Sequence, residues 1–528
     1  MSDDVDAVVV GGGPNGLVAA NVLADAGWEV LVVEAADEVG GAVRSADGGG
    51  GVTRDLFSAF YPLGAASPVL RGLELERHGL VWRHAPEVLA HVLPDDRAVL
   101  LSRDVDTTAK SVEAFGVGDG DAWHAEFDRW RVVRDGLLDA LLRPFPPVRG
   151  ATRLLRDLGA GDALRLARSL ALPVRTFGTE RFAGQGAPLL LAGNAMHTDL
   201  GPDQAGGTAF GWLLSMLGQD VGFPVPEGGA GALTAALVHR LNARVDTGRR
   251  VTDIVIADGR ALGIRDADGG LVRARKAVLA DVPAPTLYLD LVDARHLPSR
   301  LLADVKAFHW DDATIKVDWT LSSPIPWTAT EARRAGTVHL GGDLNGLASA
   351  AAELANRRVP RHPFLIMGQM TTSDPTRSPD GTEVVWGYTH VPRGDAWSAD
   401  RLRRRADRLE QLVEQHAPGF RDTITARHVQ GPAELEETNR SLVGGSINQG
   451  TAALHQQLVF RPTPGLGRAD TPVDRLFLAG SSAHPGGGVH GAAGANAARA
   501  ALARNGMAGE AYRLLMSGLH RALHADRR

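Results

Sequence analysis

Gly11, Gly13 and Gly16 stand in the spacing G-x-G-x-x-G within residues 7–45, AVVVGGGPNGLVAANVLADAGWEVLVVEAADEVGGAVRS. That spacing suits recognition of a diphosphate by main chain alone. The first glycine makes the turn, the second lets backbone approach the phosphates, and the third lets a helix pack on a strand. Pro14 and Asn15 lie between the second and third of these glycines, just ahead of that helix. Its first amides are unpaired and its N-terminus carries a partial positive charge, so an anion is favoured there. Glu34 and Ala35 follow further on. A carboxylate at this place can accept both hydroxyls of a ribose, and its charge repels a 2′-phosphate.

The elements that must position these residues are legible around them. Ala7–Val10 is an apolar run suited to a buried strand, Leu17–Ala26 reads as a helix, and Trp28–Val33 reads as a second buried strand ending at Glu34. Together they predict a βαβ dinucleotide fold. Gly40, Gly41 and Arg44 come next. A second glycine pair lets the chain pass the same diphosphate and Arg44 adds a cation, an extension typical of FAD sites. Near the other end, RLFLAG (475–480) predicts a strand running into a glycine turn at Gly480 and Ser481. Pro485, Gly486, Gly487, Gly488, Val489 and His490 follow, then a helix from about Ala492 to Ala503. Side-chain-free backbone before a helix again suits an anionic group, in a flavoprotein the N1–C2=O edge of the reduced ring.

The pairing of VVVGGGPNGLVAA…VVEAADEVGGAVRS with LFLAGSSAHPGGGVHGAAGANAA resembles the phytoene desaturase-like FAD oxidoreductases of the amine oxidase superfamily. FPVPEGGAGALTAAL (223–237), KAVLADVPAPTLY (276–288), IKVDWTL (315–321) and HQQLVFRPTPGLGRADTPVDRLFLAG (455–480) are similar to its phytoene dehydrogenase-related branch. The resemblance spans nearly the whole chain, and its ends are specific for FAD. It implies an α/β fold in which a Rossmann-like FAD-binding domain is interleaved with an α+β substrate domain. It also implies non-covalent FAD, backbone contact with the adenine near Val251, and hydride transfer to flavin N5. In amine oxidases a lysine on a strand comparable to that of Lys316 holds a water against N5. The other reading of Lys316 is an edge or surface lysine. His490, in the loop expected beneath the pyrimidine end of the ring, either hydrogen-bonds substrate or flavin or simply packs. His484 reads as structural. His390 and Arg461 either contact substrate or hold the core together.

The expected segments are 1–70, 224–300 and 470–528 for the FAD-binding domain, and 71–223 and 301–469 for the substrate domain. RDLFSAFYPLG (54–64) is placed to line the flavin, and AHVLPDDRAVLLS reads as a hairpin turning at Asp95-Asp96. Residues 143–175 carry seven arginines against two aspartates, with Leu154, Leu155, Leu158, Leu164, Leu166 and Leu170 at helical spacing. Such a helix either lies on a membrane surface or forms a lid packed on its own domain with solvated arginines.

Composition excludes other classes. The 528 residues carry a net charge of −6, so no basic field recruits nucleic acid. With no cysteine, disulfides, thiolate zinc sites, redox dithiols and cysteinyl-flavin bonds are excluded; a bond through histidine is not. The 18 histidines show no metal-ligand spacing, and no metal site is expected. There is no G-x-S-x-G, H-E-x-x-H or Walker A motif. One complete G-x-G-x-x-G argues against a separate NAD(P)H domain, leaving oxygen, a quinone or a protein as electron acceptor. The acidic start MSDDVDA leads straight into the first strand, and no stretch reaches ~20 apolar residues. A cytoplasmic protein is expected, with peripheral membrane contact through 143–175 and a homodimer both left open. The function expected is FAD-dependent desaturation or oxidation of an apolar or amphipathic organic molecule. Amine oxidation with oxygen, polyene isomerisation or saturation, and a flavin-stabilised interaction protein are the alternatives. With only four tyrosines, an aromatic cage for an amine is not obvious.

Overall fold

The computed structural model describes residues 4–525. Strand Asp4–Val10 runs parallel to Val30–Val33 on one side and to Leu271–Ala280 on the other. Ala7 to Val10 are buried because both faces of a parallel sheet are covered, which is why the run is apolar without alternation. The full sheet has seven strands: Val251–Ala257, Arg260–Asp266, Leu271–Ala280, Asp4–Val10, Val30–Val33 and Arg244–Asp246 in that order, with Leu476–Leu478 added in parallel to Leu271–Ala280. Three distant stretches of chain therefore build one sheet.

Helix Pro14–Asp25 packs beside helix Ala492–Asn505. Their approach is close because a Cβ on Gly494 would stand 1.9 Å from the Asn15 carbonyl oxygen. A Cβ on Gly16 would meet the Gly11 carbonyl at 2.1 Å, so the turn before the first helix closes only with glycine at 16. These two contacts bring the N-termini of both helices to one place.

A second seven-stranded sheet orders Ile424–Gln430, Ala313–Leu321, Glu383–Val391, Leu365–Gln369, Ala335–Leu340, Glu87–Val92 and Ala98–Leu101. Helix Ala399–His416 covers one face with Leu402, Ala406, Leu409 and Val413, a 3.6-residue stripe. Val317 and Trp319 point to that face. By alternation, Thr314, Lys316 and Asp318 point to the other, where Lys316 meets Asp55 and Asp318 faces Arg54. The Asp95-Asp96 turn is formed, with Asp96 at φ 61°.

Residues 148–171 form the expected helix, broken at Gly159 (φ 73°, ψ 165°). Leu166 is buried and Leu154, Leu158 and Leu170 pack on the core, but Leu155 and Leu164 face solvent. The leucines do not share one face, a correction to the sequence expectation. The helix packs against Asp119–Leu142, and its Arg153, Arg156, Arg165 and Arg168 pair with Asp135, Asp157, Asp162 and Glu180. No helix among the described residues is long and apolar enough to cross a membrane.

Candidate active site

A cavity of about 1330 Å³ runs from the glycine loop of the first sheet to the inner face of the second. Ordinary ligand pockets hold roughly 300–1,000 Å³, so there is room for a dinucleotide and a second molecule. Gly11, Gly13, Pro14, Asn15, Glu34, Ala35, Gly41, Arg44, Val251, Ser481, Gly488, Val489, His490 and Lys316 all line it. Gly16, Gly40 and Gly480 do not; they shape the wall from behind. A Cβ on Gly480 would lie 2.5 Å from the Val282 carbonyl, and Gly40 donates its N–H to the Gly12 carbonyl at 2.8 Å.

The glycine loop is drawn together by its acids. The Gly12 and Ala36 amides donate to the two Glu34 oxygens at 2.7 and 2.9 Å. Asp281, at the end of strand Leu271–Ala280, accepts the Gly16 N–H at 2.7 Å. Burial, with the charge of Glu34, pushes its carboxyl up to about 7. Asp281 escapes recognition in the sequence because it sits outside every fingerprint position. The available signal is an acid closing a buried strand in KAVLAD, as Glu34 closes VLVVE. Arg44 is a brace rather than a free cation: it donates to the Gly41 and Thr438 carbonyls and pairs with Glu38 at 3.1 Å.

The glycine run before the second helix is held as firmly. Asn15 Nδ2 donates to Ser481 Oγ at 3.2 Å, joining the two loops. Arg461, 1% exposed, donates to the carbonyls of Asn448, Gln449, Thr451 and Ser481. Burial lowers its guanidinium to about 10. It thus ties loop 448–451 to the cofactor side and holds the core together. His490 Nδ1 accepts the Ala492 N–H at 3.0 Å, and its carbonyl accepts the Ser67 hydroxyl at 2.7 Å. Burial holds its imidazole down to about 4, so the ring is neutral and serves its own loop. His484 bonds the Arg143 carbonyl, and His390 is buried beside Thr314 in the sheet without lining the cavity.

Lys316 lies on an interior strand of the second sheet and is 4% exposed, so the edge or surface alternative is excluded. Its ammonium donates to the Asp55 carbonyl at 2.9 Å and to Asp318. Asp318, unnoticed in the sequence, also faces Arg54 at 3.6 Å. Trp386 and Tyr388 line the cavity as a stack 5.8 Å apart, with Phe60 edge-on to Trp386. The aromatic wall absent from sequence reasoning arises because residues 386 and 388 share one face of a strand. Phe57, Leu213, Leu214 and Phe223 extend the apolar lining.

The cavity fits a flavin dinucleotide. It offers a side-chain-free cradle at each end and two helix N-termini. Asn15 Oδ1, Asn448 Nδ2 and Gln449 Oε1 are also buried without partners along its wall. If Glu34 holds the ribose, Glu34→Gln is expected to weaken dinucleotide retention by roughly 1.5–3 kcal/mol, a lost charge-assisted hydrogen bond. Equilibrium dialysis checks it; unchanged affinity would place the ribose elsewhere.

Comparison with known proteins agrees. The NAD(P)-binding Rossmann-like domain family matches residues 9–72. Pyridine nucleotide-disulfide oxidoreductase domain-containing protein 2 of Mus musculus is 28% identical over 552 residues, covering 94% of this chain and 93% of that protein. A neurosporene-forming phytoene desaturase of Rhodobacter capsulatus is 24% identical, covering 92% and 91%. A structure from a redesign of cofactor binding in putrescine oxidase superposes with a TM-score of 0.60 at 18% identity, covering 96% of this chain and all of that one, which shows the shared fold. The two-ended glycine cleft and this similarity over nearly the full length of phytoene desaturases and related proteins support an FAD-dependent oxidoreductase.

Proposed function

We propose that the protein holds FAD non-covalently and desaturates or oxidises an apolar or amphipathic organic molecule. The observation that carries this is one cavity joining the glycine cleft to a wall of Phe57, Phe60, Leu213, Leu214, Phe223, Trp386 and Tyr388. FAD, when bound, supplies a hydride acceptor. The chain does the rest. Amides of the glycine loop and of the helix starting at Pro14 bind the diphosphate. The apolar wall buries the substrate and keeps water from it. Lys316 brings an ammonium paired with Asp318, which Arg54 also faces. Two of its three Nζ protons are engaged by Asp55 and Asp318, and the third is available to a molecule in the cavity. The electron acceptor on this reading is oxygen, a quinone or a protein, and any membrane contact would come through residues 143–175.

The test is an anaerobic screen of apolar and amphipathic candidates, amines included, watched by bleaching of the flavin. Bleaching by alkenes or polyenes and not by amines is expected. Bleaching by amines alone would overturn the substrate class, and acid-precipitated protein that releases no FAD would overturn the cofactor.

Lys316→Met is expected to slow reoxidation of reduced flavin by oxygen in stopped-flow mixing while FAD stays bound. The substitution also strands a buried carboxylate, so a stability loss of roughly 3–5 kcal/mol is expected in denaturant titration, largely recovered in Lys316→Met/Asp318→Asn. Equal reoxidation rates in parent and double variant would remove Lys316 from the oxygen reaction.

A further inference from the structure

Asp281 ends the buried strand Leu271–Ala280 directly beneath the glycine loop. One carboxylate oxygen accepts the Gly16 N–H at 2.7 Å, and the same oxygen would lie 2.7 Å from a Cβ on Gly13. The side chain lines the cavity but is only 9% exposed. The protein thus keeps an acid of its own at the helix N-terminus where the fingerprint seats a diphosphate. Two like charges in so small and poorly hydrated a space repel strongly.

Arg250 and Arg440 line the cavity from solvent-exposed positions, and the more buried cations beside the loop are already engaged. Glu34, across the loop, adds repulsion. Arg44 is turned to Glu38 and to the Gly41 and Thr438 carbonyls, and Arg249 to Asp246 and Asp266. His490 is neutral. A proton on Asp281 relieves the repulsion locally, and burial with the charge of Glu34 already raises its carboxyl to about 7.

We propose that Asp281 is a proton-accepting member of the dinucleotide site: seating the diphosphate on the glycine loop transfers one proton from solvent to an Asp281 carboxylate oxygen, and the resulting O–H donates to the bound molecule. The proton returns to solvent on release. This rests on the FAD reading above. A bound state holding one more proton than the free state loses affinity as pH rises, by up to roughly tenfold per pH unit above the free-state pKa.

The experiment is equilibrium dialysis of the holoprotein from about pH 6 to about pH 9, with free FAD read by fluorescence, a range chosen around that pKa. The dissociation constant should rise toward roughly tenfold per unit at the alkaline end. Asp281→Asn keeps an acceptor for the Gly16 N–H and removes the titration. It should flatten the profile and bind FAD more tightly than the parent at the alkaline end. Asp312→Asn, which removes another carboxyl that burial brings to about 7, should keep slope and midpoint. Glu34→Gln, which removes a charge that raises the Asp281 carboxyl, should keep the limiting slope and begin it at lower pH. A flat parent profile, or an unchanged slope in Asp281→Asn, would overturn the proposal. Should Asp281→Asn fail to fold, the parent slope and its survival in the other two variants decide. Protein that carries no flavin at any pH would overturn the FAD reading as well.

Discussion

Gly13→Val is expected to yield a folded but colourless protein. A Cβ at this position would stand 2.7 Å from Asp281 Oδ2, inside any real contact distance, and that oxygen is fixed by the Gly16 N–H. The carboxylate cannot move away without losing its buried partner. The two γ-methyls would add bulk to the glycine loop beside the cavity, where backbone must reach a diphosphate. Overpacking of this kind costs about 1–3 kcal/mol of stability, which a chain with several separate cores survives. With the diphosphate cradle blocked, FAD content measured after acid precipitation should fall below detection while circular dichroism stays close to the parent's. Stoichiometric FAD in Gly13→Val would show that the cofactor does not lie against this loop.

Asp311→Ala is expected to be among the most destabilising single changes outside the glycine loops. Asp311 is fully buried and accepts four donors: the Ser446 hydroxyl and the amides of Ile447, Asn448 and Gly450. Removing the carboxylate leaves several buried donors unpaired at about 1–3 kcal/mol each. Partial relaxation brings the expected total to roughly 3–5 kcal/mol in urea titration. The loss is local in origin, because loop 446–452 is also held by Asp199, through Thr451 and Ala452, and by Arg461. Loosening of the wall that carries Asn448 and Gln449 should therefore accompany it, read as increased exchange of those amides. A shift below about 1 kcal/mol would mean that water replaces the carboxylate and that the loop is not organised by Asp311.

The two ends of the cofactor cleft were legible in the sequence because glycine spacing and short apolar runs are local signals. Gly11, Gly13 and Gly16 specify a turn whatever surrounds them, and the strands beside them are apolar along their whole length because both faces are covered. Of the stretch 54–64, Phe57 to Gly64 border the cavity. Lys316 could be singled out only by resemblance; that it is interior and paired with Asp318 follows from strand order.

What the sequence determined by itself was the class of site: a dinucleotide cradle at one end and a second glycine cradle at the other. What only the tertiary structure decided was which distant residues meet there. Asp281 reaches Gly16 across 265 positions, Arg461 reaches Ser481 and loop 448–451, and Phe60 meets Trp386 edge-on. Each of those contacts depends on the register between strands or on the approach of two helices at Gly494. Register and approach are set by packing over the whole core, and no window of sequence contains them.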